Sequence, residues 1–182
     1  MPIIATAEQG FDFTPASEGI HRAVCCDVVD LGMKEMTFKG ETKKRHRVTI
    51  YWQIDEERDD GSPHEMRQEY TLSLYDRAQL RGMIELWRGR KFSPEELESF
   101  DLETLIGKPC QIQIMHNVDS RGRTWANVKG VFASPKGSPP LEISEGYLRH
   151  ADRPDRNQGD PGATTSHPDD ELVDMDGKPI PF

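Results

Sequence analysis

The sequence contains only three cysteines, and no two of them form a C-x-x-C pair. Cys25, Cys26 and Cys110 are too few and too irregularly spaced for a disulfide framework or a zinc site, so we expect reduced thiols. The chain opens on no charged leader with an apolar core, and it contains no long apolar run. These absences argue against a signal peptide and a membrane span, and we expect a cytoplasmic protein.

The motifs that usually carry catalysis are also missing. The six histidines are scattered, no Ser, Cys or Thr lies in a nucleophile elbow, and no glycine-rich phosphate loop occurs. The acidic stretch DEERDDG, residues 55–61, lacks the glycine pattern of a calcium loop and is expected to be a solvated turn. We therefore expect no enzyme activity, no cofactor and no bound metal.

The chain is acidic, but its charge is unevenly distributed. It has 32 acidic and 23 basic residues, a formal net charge of −9. Residues 150–182 carry eight acidic and three basic residues, which is −5 of that total and leaves −4 for residues 1–149. An acidic body does not attract nucleic acid through its overall charge, so a nucleic-acid site has to be a local basic patch.

Alternating apolar residues predict five strands. The stretch RVTIYWQID is the clearest, because Val48, Ile50, Trp52 and Ile54 alternate with more polar residues and belong on a core face. Comparable patterns begin at Gly19 and recur in EMRQEYTLSLY, PCQIQIM and TWANVKGVF. The sequence therefore predicts three consecutive strands, an interruption, and two further strands.

The interruption has a helical period. Apolar residues from Leu80 to Trp87 repeat at helical spacing behind Asp76, a suitable N-cap. The stretch SPEELESF opens a second helix, with Ser93 and Glu96 as the two halves of a capping box. Helices are therefore expected between the third and the fourth strand.

Five strands with helices between the third and the fourth are the layout of the OB-fold, a small barrel that binds oligonucleotides or oligosaccharides. We therefore predict a mainly β protein built on a five-stranded OB-fold barrel with a helical insert between strands 3 and 4. The expected organisation is an N-terminal arm (1–17), the OB-fold domain (18–136), and a disordered linker with an acidic tail (137–182). Fold alone does not give function.

A basic segment, GMKEMTFKGETKKRHR, connects the first two strands. Its residues 34–47 include six basic and two acidic residues, a net charge of +4 in an acidic protein. Cations bind phosphates and an aromatic ring offers a base a stacking surface, so the segment suits a single strand of nucleic acid. The alternative interpretation is a solvated charged hairpin. The candidate DNA-binding residues here are Lys34, Phe38, Lys39, Lys43, Lys44, Arg45 and Arg47.

Aromatic residues on polar strand faces extend this candidate site. Tyr51 lies between polar neighbours in the second strand, and Trp125 shares the polar face of the fifth strand with Lys129. Such rings suit base stacking better than a core, so we predict that Tyr51, Trp125 and Lys129 also bind DNA. The stretch WRGRK, residues 87–91, either extends the basic track or favours the end of the first helix through its dipole.

The C-terminal sequence DDELVDMDGKPIPF ends on large apolar side chains. An OB-like body, a Pro/Gly-rich linker and an acidic tail ending PIPF together resemble bacterial and phage single-stranded DNA-binding proteins, whose acidic tips end in Ile-Pro-Phe. The segments GIHRAVCCDVVDLG and LWRGRKFSPEELESFDLETLIGKPC look more like the phage branch. The resemblance implies that the tip docks into an apolar, basic-rimmed pocket on replication and repair enzymes. It assigns the anchor to Ile180, Pro181 and Phe182, and the steering charges to Asp169, Asp170, Glu171, Asp174 and Asp176.

We therefore predict a phage-type single-stranded DNA-binding protein that acts in the cytoplasm of a bacterial host cell. It is expected to coat single strands without strong sequence preference, and its tail to recruit replication, recombination or repair proteins. Self-association is left open. Two other classes remain as alternatives: an acidic interaction protein that inhibits a host enzyme by mimicking DNA, and a nuclease or nuclease accessory with carboxylate metal ligands.

Overall fold

A computed structural model describes residues 14–153, and those from 14 to 151 belong to one compact unit. This part of the chain is mainly β, and none of its helices is long and apolar enough to cross a membrane. The strands are β1 (Gly19–Phe38), β2 (Glu41–Glu57), β3 (Pro63–Thr71), β4 (Pro109–Val118) and β5 (Thr124–Phe132). The helices are α1 (Gln79–Arg88), α2 (Pro94–Glu98) and two 3-10 turns, Leu102–Leu105 and His150–Asp152.

The strands form one antiparallel sheet in the order β3-β2-β1-β4-β5. Within the described residues no hydrogen-bonded pairing joins the edge strands β3 and β5, so the sheet is open. Helix α1 contacts both edge strands and partly covers the gap between them. The five strands and the helical insert between β3 and β4 are thus confirmed, whereas the closed barrel is not formed by strand pairing.

The core lies on the sheet face that α1 covers. Alternate residues of β2 from Val48 to Ile54 are at most 2% exposed, as their period-2 pattern predicts. Trp52 and Trp87 are both buried in this core, which confirms their prediction as core residues. The Trp87 indole N–H donates to the carbonyl oxygen of Pro109 at 2.9 Å, so α1 is also tied to β4.

The helix α2 begins at the capping residues that the sequence predicts. The Ser93 hydroxyl accepts from the Glu96 backbone N–H at 3.3 Å, and the Glu96 carboxylate accepts from the Ser93 N–H at 2.9 Å. This capping box confirms the predicted start of α2. The predicted N-cap of α1 is wrong, because α1 starts after Ala78 and the Asp76 carboxylate accepts from Arg81 at 2.6 Å instead.

β1 and β2 extend beyond the other strands as a two-stranded ribbon, residues 33–45, in which they pair only with each other. Lys39 and Gly40 connect the two strands with φ angles of 47° and 82°. Positive φ at both central positions defines a type I′ turn, whose twist matches that of a hairpin. The segment predicted as a connection between strands is therefore mostly regular β-structure, and its side chains alternate between two faces.

After β5 the chain returns across the sheet face that lies opposite the core. Residues 141–151, called the strap, are held there by polar contacts. The Ser144 N–H donates to the Gln53 side chain at 2.8 Å, the Gln53 amide donates back to the Ser144 hydroxyl at 2.9 Å, and the His150 N–H donates to Asp27 at 2.6 Å. The composition of this segment predicted a disordered linker, but the strap packs against the sheet.

Candidate functional site

The register of the ribbon sorts its side chains onto two faces, because cross-strand partners share a face and successive pairs alternate. Lys34 pairs with Arg45, and Met36 pairs with Lys43. These pairs lie on one face, which we call the cationic face. It consists of Lys34, Met36, Phe38, Glu41, Lys43 and Arg45. Three positive charges, one carboxylate and two large apolar groups are therefore gathered on one side of the ribbon.

Two lysines of the cationic face form ion pairs that are open to solvent. The Lys43 ammonium lies 3.0 Å from Glu41, and the Lys34 ammonium lies 3.9 Å from Glu69 of β3. The two lysine side chains are 49% and 47% exposed. Exposed pairs of this kind contribute only about 0–1 kcal/mol each, so a phosphate can replace either carboxylate at little cost.

The apolar side chains of the cationic face stand on the ribbon without a core behind them. Phe38 and Met36 are 37% and 41% exposed. The Lys39 ammonium, in the turn, lies 5.3 Å from the centroid of the Phe38 ring. An exposed ring between cations offers a flat surface on which a nucleobase can stack.

The opposite face of the ribbon carries a second set of charges. The Lys44 ammonium lies 3.6 Å from Glu35, and the His46 ring lies 2.6 Å from the Asp30 carboxylate. The Gly32 backbone N–H and the His46 ring hold the pKa of Asp30 below its usual range. Lys44, although predicted as a DNA-binding residue, is therefore separated from the cations of the other face.

Arg47 lies at the base of the ribbon. Its guanidinium donates to Glu69 at 2.9 Å and to the Thr71 hydroxyl at 2.8 Å, and its side chain is only 11% exposed. The sequence predicted a phosphate contact for this residue. In the structure its hydrogen bonds tie β2 to β3.

Tyr51 was predicted to be an open stacking platform, and this prediction is wrong. Tyr51 is 7% exposed because the strap covers it. The His150 ring lies on the Tyr51 ring, with 3.8 Å between centroids and 27° between planes. Burial is the main cause of the raised pKa of the Tyr51 phenol. A base therefore has no access to this ring while the strap is in place.

The surface beneath the strap is acidic. Asp27 is 1% exposed, and its carboxylate accepts from the Arg149 guanidinium at 2.9 Å. Arg149 also donates to Glu103 at 2.7 Å, and the His150 ring lies 3.1 Å from Glu65. These carboxylates face cationic or polar groups of the strap. The same carboxylates would repel a phosphate backbone, so we place no DNA contact in the middle of this face.

Trp125 lies at the other end of the sheet. It pairs with Asn117, three residues beyond Ile114, and Ile114 pairs with Gly19 at the start of β1. The ribbon leaves the opposite end of β1. The structure therefore does not bring Trp125 together with the cationic face, although both lie on the sheet surface opposite the core.

The Trp125 ring is fixed by its neighbours. Its indole N–H donates to Asp119 at 3.1 Å, and the Arg123 guanidinium lies 5.8 Å from the ring centroid. Lys129, the other candidate on β5, is exposed at a register shift where β5 bulges against β4. These two predicted residues therefore form a separate candidate area beside the β4–β5 turn.

The basic stretch WRGRK has a structural role. Arg88 and Arg90 both bind the carboxylate of Glu96, with Arg90 at 2.8 Å. The Arg88 guanidinium also lies 4.9 Å from the Phe92 ring centroid. These contacts join the end of α1 to α2.

Sequence reasoning missed two groups of residues. Met36 has the same parity as Lys34 and Phe38, and period-2 alternation along the segment is the signal that would have found it. The strap residues Arg149 and His150 gave no sequence signal, because their segment has no periodic pattern.

The described residues contain neither a metal-ligand cluster nor an exposed thiol. No group of three or more His, Cys, Asp or Glu side chains there is arranged to hold a metal ion. Cys25, Cys26 and Cys110 are free and buried, and burial raises the pKa of the Cys26 thiol to about 12. Thiols held protonated in this way are poor nucleophiles and poor metal ligands.

The tail residues assigned as anchor and steering charges lie outside the described residues. They are Asp169, Asp170, Glu171, Asp174, Asp176, Ile180, Pro181 and Phe182. For the chain as a whole, no protein-family model matches, and no curated protein has a significantly similar sequence.

Proposed function

We propose that this protein binds single-stranded DNA, without strong sequence preference, through the cationic face of its β-ribbon. In this proposal it protects single strands during phage DNA replication, recombination or repair, and it catalyses no reaction. The five-stranded sheet is then an open variant of the OB-fold, with the strap lying across part of the surface opposite its core.

The observation that carries the proposal is the register of the ribbon. It gathers Lys34, Lys43 and Arg45 on the same side as Met36 and Phe38. The cations attract a polyanion and release its counterions, while the exposed apolar side chains favour unstacked bases. Neither interaction reads base edges, so little sequence preference is expected.

The C-terminal tail supplies the second half of the proposal. Its acidic residues and its Ile-Pro-Phe end resemble the docking peptides of single-stranded DNA-binding proteins. An anionic peptide with one apolar anchor suits weak and rapid binding to several basic-rimmed pockets. We propose that this tail brings replication, recombination or repair proteins to the coated strand.

The direct test measures the affinity of the full chain for a fluorescent oligo-dT over a series of salt concentrations. A combined Lys34→Gln, Lys43→Gln and Arg45→Gln variant is expected to weaken binding. It should also lower the slope of log K against log salt by about 2, since each phosphate contact contributes about 0.7. An unchanged slope would remove the ribbon from the proposal.

Lys43 and Lys44 provide a matched pair of single variants. They are adjacent in sequence and both take part in exposed ion pairs, but they lie on opposite faces of the ribbon. Lys43→Gln is expected to lower the salt slope by about 0.7 and Lys44→Gln to leave it unchanged. Equal effects would show that overall charge, and not the cationic face, determines binding.

The same assay separates the alternative functions. A full chain that binds no oligo-dT at low salt would favour the acidic interaction protein. Loss of intact oligonucleotide on addition of Mg²⁺ or Mn²⁺ would indicate a nuclease and would contradict the non-catalytic role.

A further inference from the structure

We infer that the β4–β5 end of the sheet carries a second single-strand contact, which binds nucleobases through amide side chains. This inference rests on the proposed function, and it divides the work between two areas. The ribbon binds phosphates and stacks bases on its apolar side chains, and the second area binds the edges of bases. The strap lies between them on the same sheet surface.

Register defines the second area. Ile20 pairs with Gln113, and Asn117 pairs with Trp125. Alternation along β1, β4 and β5 places these side chains on the surface opposite the core. We call this surface the amide face. It consists of Ile20, Arg22, Gln111, Gln113, Met115, Asn117, Trp125, Asn127 and Phe132.

The amides of this face are available for a ligand. Gln111, Gln113 and Asn117 make no side-chain hydrogen bond within residues 14–153, and none of them is fully buried. An amide presents donors and an acceptor together, which is the combination that the edges of unpaired bases present in return. Three unused amides on one sheet face therefore fit bases better than they fit phosphates, which offer acceptors only.

Apolar side chains lie among these amides. Ile20 is 55% exposed and Met115 is 45% exposed. Trp125 is half-buried, and Asp119 and Arg123 contact its ring. A ring held in one orientation loses little conformational entropy when a base stacks on it. The neighbouring apolar atoms can cover the base.

The local charge permits a nucleic-acid strand without making phosphates the main partner. Residues 109–132 contain three basic residues and one acidic residue, a net charge of +2 in a chain of −9. The Arg123 guanidinium forms an ion pair with Asp119 at 3.4 Å, and Lys129 lies at the bulge of β5. This density of cations is lower than in the ribbon, which indicates an area that depends on bases.

The test compares two probes of equal length and charge, oligo-dT and an abasic deoxyribose-phosphate oligomer. Changing Gln111, Gln113 and Asn117 together to Ala is expected to weaken oligo-dT binding at least about tenfold, because each lost hydrogen bond costs about two- to tenfold. Affinity for the abasic oligomer should stay the same. Gln79→Ala, an exposed amide on α1, is the matched control and should change neither affinity.

Two outcomes overturn the inference and leave the proposed function intact. One is an unchanged oligo-dT affinity in the triple variant, and the other is an equal loss for both probes. If the full chain binds neither probe, the proposed function fails instead. Photo-crosslinking of 4-thiothymidine oligonucleotides to the unaltered protein checks the result without relying on a variant. Crosslinked peptides from residues 109–132 are expected, and crosslinks confined to residues 33–47 would contradict the inference.

Discussion

The centroids of the His150 and Tyr51 rings are 3.8 Å apart, and this stacking packs the strap against the middle of β2. Residue 51 belongs to a strand whose alternation is plain in the sequence, whereas residue 150 belongs to a segment with no pattern. Their contact changes the role of Tyr51 from a ligand platform to a structural residue.

Removing the Tyr51 ring should therefore lower stability and not DNA affinity. Tyr51→Ala is expected to lower the free energy of unfolding by about 2–4 kcal/mol, because a buried aromatic ring loses its packing. Urea denaturation measures this value. Tyr75→Ala is the matched control, since Tyr75 is 73% exposed and should change stability by less than about 0.5 kcal/mol. A tenfold loss of oligo-dT affinity in stable Tyr51→Ala protein would restore the original assignment.

The Arg149 guanidinium and the Asp27 carboxylate should be energetically coupled. Arg149→Ala leaves a buried carboxylate without its cationic partner, and we expect a loss of about 1–3 kcal/mol, reduced by the partial exposure of Arg149. In a double-mutant cycle with Asp27→Ala, the combined loss should be smaller than the sum of the single losses. Arg121→Ala, in the exposed β4–β5 turn, is the control. Additive losses would mean that the strap is held by other contacts.

Acid should weaken the contact between Ser17 and the carboxylate of Glu56 in β2. Burial acts to raise the pKa of Glu56, but hydrogen bonds from Ser17 and the nearby His21 and His64 outweigh it and hold the pKa below 4.5. A carboxyl whose pKa is depressed by folding stabilises the fold above pH 4.5, and this contribution is lost as pH falls through the folded value.

Glu56→Gln should therefore be less stable than the unaltered protein at pH 7, with the difference shrinking towards pH 3. Urea midpoints measured across that range check the result. The carboxylate of Glu56 acts to raise the pKa of His64, which burial lowers, so the same comparison is made in a His64→Gln background. A difference that stays constant with pH would exclude a titrating Glu56.

The tail prediction concerns residues outside the described part of the chain. Phe182→Ala removes the apolar anchor but no side-chain charge, so capture of replication and repair proteins from a host lysate should be lost while oligo-dT affinity is unchanged. Met175→Ala, an apolar change away from the tip, should retain capture. The docking role would be abandoned if Phe182→Ala retained every partner that the unaltered tail captures.

Short-range patterns explain what the sequence could predict. The alternation from Val48 to Ile54 placed the core face of β2 correctly, and the Ser93–Glu96 capping box located the start of α2. The cationic face was within reach of the same rule. Because Lys43, Arg45 and Arg47 share one parity and Lys44 has the other, period-2 reasoning would have separated them once the segment was recognised as a hairpin.

Contacts between distant polar residues could not be predicted in this way. Asp76 was a reasonable N-cap by local rules, but its carboxylate pairs with Arg81. The strap depends on hydrogen bonds to Gln53 and Asp27, which leave no periodic trace in the sequence. The open gap between β3 and β5 is likewise a property of the whole sheet and not of either strand.

The strap also has a consequence for the order of folding. Its hydrogen bonds to Gln53 and Asp27 join residues that are 91 to 123 positions apart, so they form only after almost the whole domain has been synthesised. Closing so long a loop costs entropy, and the strap makes few apolar contacts that could offset this cost. We therefore expect a partly unfolded species in which the strap has detached from an otherwise intact sheet. In native-state hydrogen exchange, the His150 amide should lose its protection well before the amides of central β2.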